Sequence, residues 1–360
     1  MRFGSNRYVP ILRWKAAEKD CLVQLSPSDK AAIVPMFELI PPFVENLNDS
    51  YAGRKFALEI GRFWGTPIAF ADFTNITALP GMVSGFVAEA KRLNLGVIPT
   101  ATCTMSTDTL AELKRTRMPI CIRLNASDPT TIAERLSALH FDTGTSPTEC
   151  HLIIDREVWP DNAVSTQALL APIRHLTEYQ SLSVAGSSFP IDLTCFEKPG
   201  EYELPRVEWA EWKALQTSTP VRMPSFSDYT IQYGRYRKPP EKCHFSASIR
   251  YTAEDNWVIM RGKSVFAEDG AGYAQWPSNA QMLMLRSEFR GREFSAGDTY
   301  IVDRATDKKT GTAKLWLQAG IGHHLALAAR QVLQHGGSVT LGSLADAKSP
   351  SLKPLPIANK

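Results

Sequence analysis

Short apolar runs alternate along the chain with longer stretches in which apolar residues recur every three or four positions. The first kind of run is the signature of a buried strand, the second of an amphipathic helix. Strand-like runs fall at residues 8–13, 34–39, 68–73, 96–100, 120–124, 151–154, 181–185 and 221–226. Between them, residues 81–93 carry Phe86, Val87, Ala90 and Leu93 at helical spacing, and residues 107–115 and 130–139 read the same way. The last of these is introduced by Ser127-Asp128-Pro129, a capping pair followed by proline in the first turn. Repeated strand–helix units predict a parallel sheet covered by helices. Eight units predict a closed α/β fold, a (β/α)8 TIM-like barrel, with an open doubly wound sheet as the competing arrangement.

The rhythm changes after residue 237. Lys238-Pro239-Pro240-Glu241 breaks any regular element, and the chain becomes rich in aromatic residues and glycine, among them Tyr251, Trp257, Tyr273, Trp276, Phe289 and Tyr300. The expected organisation is a barrel over residues 1–237, an extension or lid over 238–335 that completes the same domain, and a loose tail over 336–360 beginning at Gly336-Gly337. A last helix is expected over 323–334, opened by His323 and His324, with Leu325, Ala328, Ala329 and Val332 on one face.

Composition narrows the function little. The 360 residues include 40 basic and 37 acidic ones, a net charge of +3 that does not support nucleic-acid binding by bulk charge. No apolar run approaches the ~20 residues that span a bilayer, and the first residues lack a signal-peptide core. Six cysteines, Cys21, Cys103, Cys121, Cys150, Cys195 and Cys243, show no metal-ligand spacing and read mainly as reduced core thiols. The expectation is a cytoplasmic protein with no membrane association.

Barrel enzymes keep their chemistry at the C-terminal ends of the strands. The strand positions place Lys15, Glu38, Asp72, Thr100, Arg123, Asn125, Asp155, Ser187 and Asp228, with Tyr229 beside it, at one mouth. Lys15, Glu38, Asp72, Asp155 and His323 are the catalytic candidates. Arg123, Asn125, Asp228, Tyr229, Arg250, Tyr251, Arg261 and His324 are the ligand-binding ones. Three carboxylates at one mouth could hold a hard cation such as Mg2+, divide into a general acid and base, or simply pair with Lys15, Arg123 or Arg156. A histidine pair at a helix N-terminus suits an anion, and arginine forks at Arg250 and Arg261 suit a phosphate or carboxylate. No P-loop, dinucleotide fingerprint, nucleophile elbow or zinc cluster occurs.

Several blocks in order resemble the phage and bacterial beta-protein family: Tyr8-Val9-Pro10-Ile11-Leu12, Glu38-Leu39-Ile40-Pro41-Pro42, Phe63-Trp64-Gly65, Asp72, Asp228-Tyr229, Ser246 to Thr252, Trp257 to Gly262, Phe294 to Asp298 and His323-His324. Gly322 stands where that pattern often has asparagine. The resemblance implies an association with phages and mobile defence loci. Two functions remain open. One is an accessory protein that binds a small anionic ligand, or a protein partner encoded in the same locus or by a phage, with Trp257, Trp276 and Trp316 as a docking surface or lid. The other is a hydrolase acting on a phosphate ester, nucleotide or nucleic acid at the mouth.

Overall fold

Eight short parallel strands curl into a barrel, and three further strands form a small sheet beside it. The computed structural model describes residues 2–45, 47–76, 81–126, 128–159, 164–218, 220–238, 245–266, 268, 272–307 and 309–336. Ser127, Pro239, Pro240, Glu241, Cys243 and the tail from Gly337 lie outside the described residues. In chain order the strands are β1 (Ile11–Arg13), β2 (Met36–Glu38), β3 (Ala69–Asp72), β4 (Val97–Ala101), β5 (Ile120–Asn125), β6 (Cys150–Val158), β7 (Ser181–Ser187), β8 (Gly200–Pro205), β9 (Ser225–Asp228), β10 (Ile249–Thr252) and β11 (Asn256–Arg261). The barrel runs β1 through β7 and then β9, every pair parallel. Its seam is drawn together where Val9 N–H donates to the Phe226 carbonyl at 2.9 Å and the Ser227 hydroxyl donates to the Val9 carbonyl at 2.5 Å. The fold is therefore the (β/α)8 barrel, not an open sheet.

Strand side chains alternate between the two faces, and this fixes what fills the barrel. Ile11, Met36, Phe70, Ile98, Cys121, Ile153 and Ala185 form an apolar layer inside. Two residues further along β1, β2, β3, β5 and β6, the next inward positions are Arg13, Glu38, Asp72, Arg123 and Asp155, all buried. An apolar floor thus carries a charged layer above it, toward the strand C-termini. The outward residues, such as Phe37, Ala71, Ile122 and Leu152, join the larger core beneath the helices.

The last helix spans Ala313–Gly336, ten residues earlier at its start than the sequence pattern predicts. Thr312 supplies its cap, accepting the Leu315 N–H at 3.3 Å. Within it Gly320 serves close packing: a Cβ there would stand 2.5 Å from the Arg250 carbonyl oxygen on β10. The helix packs on Ala16–Gln24, which follows β1, and so takes the place of the eighth barrel helix. Residues between β9 and this helix are an insertion. They contribute β10 and β11, which pair antiparallel with each other, β11 also pairing antiparallel with β8, and the helices Gln275–Met284 and Ala296–Asp307 around a second core. Trp257, Trp276 and Trp316 are all within these cores, 2% exposed or less, so they form no docking surface.

Gly320→Ala should lower the melting temperature, because overpacking at a backbone contact costs roughly 1–3 kcal/mol. An unchanged thermal melt would show that the helix–β10 contact can open freely.

A candidate site in the barrel mouth

One guanidinium organises the charged layer. Arg123 on β5 donates from Nε to Asp155 Oδ2 at 2.8 Å and from Nη1 to Glu38 Oε1 at 2.7 Å and to Asp72 Oδ2. Its Nη2 donates to the Tyr229 hydroxyl at 2.6 Å and lies 2.7 Å from Asp155 Oδ2. Tyr229 in turn donates to Asp155 Oδ2 at 2.5 Å. All the nitrogens of Arg123 are thus committed to groups on β2, β3, β6 and just past β9. Burial works to lower its pKa, but Tyr229, Asp155, Glu38 and Asp72 together hold it well above the ordinary value.

The carboxylates are fixed on their far sides as well. Asp72 Oδ1 accepts the Thr74 N–H at 2.8 Å and the Thr74 hydroxyl. Asp155 Oδ1 accepts the Glu157 N–H at 2.8 Å. Glu38 differs. Its Oε2 is buried, accepts no hydrogen bond and faces Arg13 Nε at 3.7 Å. Burial raises the Glu38 pKa above its ordinary value against the pull of Arg123 and Arg13. Above this layer lies a cavity of about 320 Å3, lined by Glu38, Arg123 and Asp155 at its base and by Thr74, Asn75, Thr102, Cys103, Thr104, Asn125, Arg135, Glu157, Arg235 and Tyr236 higher up.

The structure therefore brings together Glu38, Asp72, Arg123, Asn125, Asp155 and Tyr229. Lys15 sits at the edge. Its ammonium lies 5.6 Å over the ring of Tyr236, a cavity residue, and burial lowers its pKa. The three carboxylates close on Arg123, whose guanidinium fills the position a cation would take. Among the described residues no group of three or more His, Cys, Asp or Glu side chains is arranged to hold a metal ion. Arg13, Thr74, Thr102, Thr104 and Tyr236 were not anticipated. Arg13 was legible from the period of two, since it follows inward Ile11. The threonines sit on loops after β3 and β4, where no periodicity applies.

Six expected members are elsewhere. Asp228 points outward, because Tyr229 and Ser227 take the inward positions on this strand. It accepts from the Tyr8 hydroxyl at 2.5 Å and from His324 Nε2 at 2.9 Å. His323 and His324 lie in the middle of the long helix, not at its start, and neither is solvent-exposed. No helix N-terminus accompanies them, so the anion site expected there does not exist. His324 Nδ1 accepts from the Thr252 hydroxyl at 3.0 Å if Nε2 carries the proton that Asp228 receives. His323 lies between two acceptors, Asp298 Oδ2 at 2.9 Å and the Thr252 carbonyl at 2.8 Å, and stacks on Tyr251 at 3.8 Å. Tyr251 donates to Asp298 Oδ1 at 2.8 Å, which places it in this buried network and not in the mouth. Arg250 and Arg261 line a different cavity, described below.

Two measurements follow. Arg123→Met should destabilise the fold by about 3–5 kcal/mol in chemical unfolding, because it leaves buried carboxylates without their counter-charge. A loss below 1 kcal/mol would show that the cluster contributes little. The burial of His324 should also make stability acid-sensitive, against the opposing pull of Asp228. Burial holds the His324 pKa below its ordinary 6.5. The unfolded chain therefore takes up the proton first, and stability falls as pH drops below about 6.5. Asp228 acts in the same sense at lower pH: burial pushes it up, but His324, Tyr8 and the Thr230 N–H hold it below 3.8. Urea midpoints of the wild type and His324→Gln, measured between pH 7.5 and 5.5, should show a flatter profile for the variant. Parallel profiles would remove His324 from the account.

No curated protein matches this chain. Among solved structures, the YdjI aldolase from Escherichia coli K12 is similar over 62% of this chain and 75% of its own, with 9% identity and a TM-score of 0.33. The Beta protein family model matches residues 8–330, nearly the whole of the barrel and its insertion. The chain belongs to the Beta protein family.

Proposed function

We propose that this protein binds a small, uncharged, hydroxyl-rich molecule in its barrel mouth and acts as an accessory component in a phage or antiphage-defence setting. A protein partner encoded nearby, or a phage component, belongs to the same proposal. The observation that carries the ligand class is the full commitment of Arg123. Its guanidinium has no donor left for an anion, and the carboxylates around it have no room for a metal. The charged side chains lining the cavity are three acids, Glu38, Asp155 and Glu157, and three arginines, Arg123, Arg135 and Arg235. Arg235 pairs with Glu157 at 2.7 Å, and Arg135 donates to the Asn125 carbonyl at 2.6 Å. The Asn75 and Asn125 amides face the cavity without a partner, Thr104 shares a hydrogen bond with Thr102 at 3.1 Å, and Arg135 is the one lining cation without a carboxylate among the described residues. A volume of about 320 Å3 suits a small ligand. The setting rests on the family.

A second reading has one specific support. Glu38 is buried, raised in pKa, and presents an unpartnered oxygen in the cavity floor. That is the condition of a general acid, and it favours a hydrolase using proton transfer over one using a metal.

Calorimetric titration with a panel of monosaccharides and polyols should yield a binder. Replacing Asn125 by Leu should weaken it roughly tenfold, the worth of about one hydrogen bond to a neutral group. Failure of every neutral ligand, with binding of anions abolished by Asn125→Leu, would defeat the proposal. Turnover of chromogenic glycosides or phosphate esters that disappears in Glu38→Gln would establish the hydrolase instead.

A further inference from the structure

The insertion holds a second cavity, of about 390 Å3, that shares no lining residue with the barrel mouth. Its walls come from the segment after β7, from β10 and β11, and from the helices that carry Trp276 and Trp316. Arg250 on β10 stands opposite Ile259, so Arg261, two residues further along β11, is its diagonal neighbour on the same face, and both line the cavity. Neither forms an ion pair with a carboxylate among the described residues. This sets them apart from their neighbours in the insertion: Arg286 pairs with Glu201, Glu203 and Glu288, Arg290 with Glu254, and Arg292 with Asp303.

Arg261 is 5% exposed. Its Nη1 donates to the hydroxyls of Ser246 and, at 3.3 Å, Ser248, while its buried Nε has no partner. Arg250 spends Nη1 on the Ile231 carbonyl at 3.2 Å, and its guanidinium carbon lies 5.0 Å over the ring of Phe189. Burial, with Arg261 beside it, lowers the Arg250 pKa to about 10. The one acid on the wall, Asp192, is exposed and accepts from the Thr194 N–H at 2.8 Å and hydroxyl at 2.5 Å. Lys198 adds a third positive charge at the rim.

We propose that this cavity is a binding site for an organic phosphate, with the phosphate on Arg250, Arg261 and the Ser246–Ser248 hydroxyls and the organic part against Trp276 and Trp316. Two adjacent arginines largely withdrawn from water, with only the exposed Asp192 of the same wall to offset them, are costly, and a doubly charged anion supplies the rest. Guanidinium forks match phosphate oxygens two at a time. The serines are oriented for the same task. Ser246 and Ser248 lie 2.9 Å apart and accept from Arg261, so one hydroxyl proton of the pair is free to point at the ligand. Trp276 and Trp316, nearly parallel at 14° with centroids 6.2 Å apart, back an apolar wall completed by the half-buried Phe245 and Leu317, against which the organic part can pack.

The test is isothermal titration of the full chain with adenosine monophosphate, inorganic phosphate and adenosine. Adenosine monophosphate should bind, phosphate more weakly, and adenosine not measurably. Arg261→Gln and Arg250→Met should each weaken the nucleotide roughly 10- to 100-fold, the range for a charge-assisted hydrogen bond. If either arginine variant fails to fold, Ser248→Ala serves in its place and should weaken binding about tenfold. Thr104→Val, in the barrel mouth, should leave nucleotide affinity unchanged, which separates this site from the one proposed there. The inference is overturned if neither phosphate compound binds at millimolar concentration, if adenosine binds as tightly as its monophosphate, or if affinity survives the substitutions in this cavity.

Discussion

The barrel mouth depends on a single guanidinium at its axis. Arg123 draws side chains from β2, β3, β6 and the residue after β9 toward one point, so strands on opposite sides of the barrel are tied through a polar contact. Three carboxylates this close would repel one another strongly without it. Their attraction to Arg123 grows as water is excluded, and the apolar layer of Ile11, Met36, Phe70 and Ile153 beneath provides that exclusion. The same apolar floor makes the arrangement unforgiving, since a buried carboxylate deprived of its partner regains no water.

A charge cluster so completely satisfied argues about function as well as stability. Groups that act on a substrate need a free donor, a free acceptor or a displaced pKa. Arg123 and Asp72 have spent their hydrogen-bonding capacity within the protein, and Asp155 holds Tyr229 and the Glu157 N–H. Glu38 alone keeps an unused oxygen at the cavity floor. The mouth thus separates into a rigid scaffold and a thin layer of neutral polar groups above it, with one acid between them. Recognition by threonine and asparagine side chains follows from this division more readily than electrostatic catalysis does.

Much of this was legible from the chain itself. Eight strand-like runs gave eight barrel strands, because short β-rich segments between amphipathic helices leave few other ways to bury both faces of a parallel sheet. Glu38, Asp72, Arg123 and Asp155 could be placed at one mouth from the same pattern. The failures share two physical causes. Asp228 and Tyr229 are adjacent, and a strand sends neighbours to opposite faces, so at most one could reach the interior. Only the seam hydrogen bonds decide which. The paired histidines were misplaced because the apolar face used to place the last helix begins at Leu325, well after Gly320 and Gly322. In the fold Gly320 lets a backbone come close, and the helix runs through both. The small sheet was missed although β8 alternates Glu201, Tyr202, Glu203 and Leu204, a strand pattern hidden in a stretch expected to be helical or loop.

Comparing the two arginine centres shows what each is for. Arg123 meets three carboxylates, and the result is a closed cluster at the base of its cavity. Arg250 and Arg261 are also largely removed from bulk water, yet the protein brings serine hydroxyls and a carbonyl to them and only one acid, the exposed Asp192, to the wall. Carboxylates were available close by: Glu201, Glu203, Glu254 and Glu288 neutralise Arg286 and Arg290 on the same sheet and its flanking segment. An insertion that pairs Arg286, Arg290 and Arg292 and gives Arg250 and Arg261 no carboxylate within ion-pair distance has kept positive charge where folding alone gives no reason for it. Hydroxyls are the natural companions of such a charge, since they can donate to an oxyanion while accepting from the arginine that holds them.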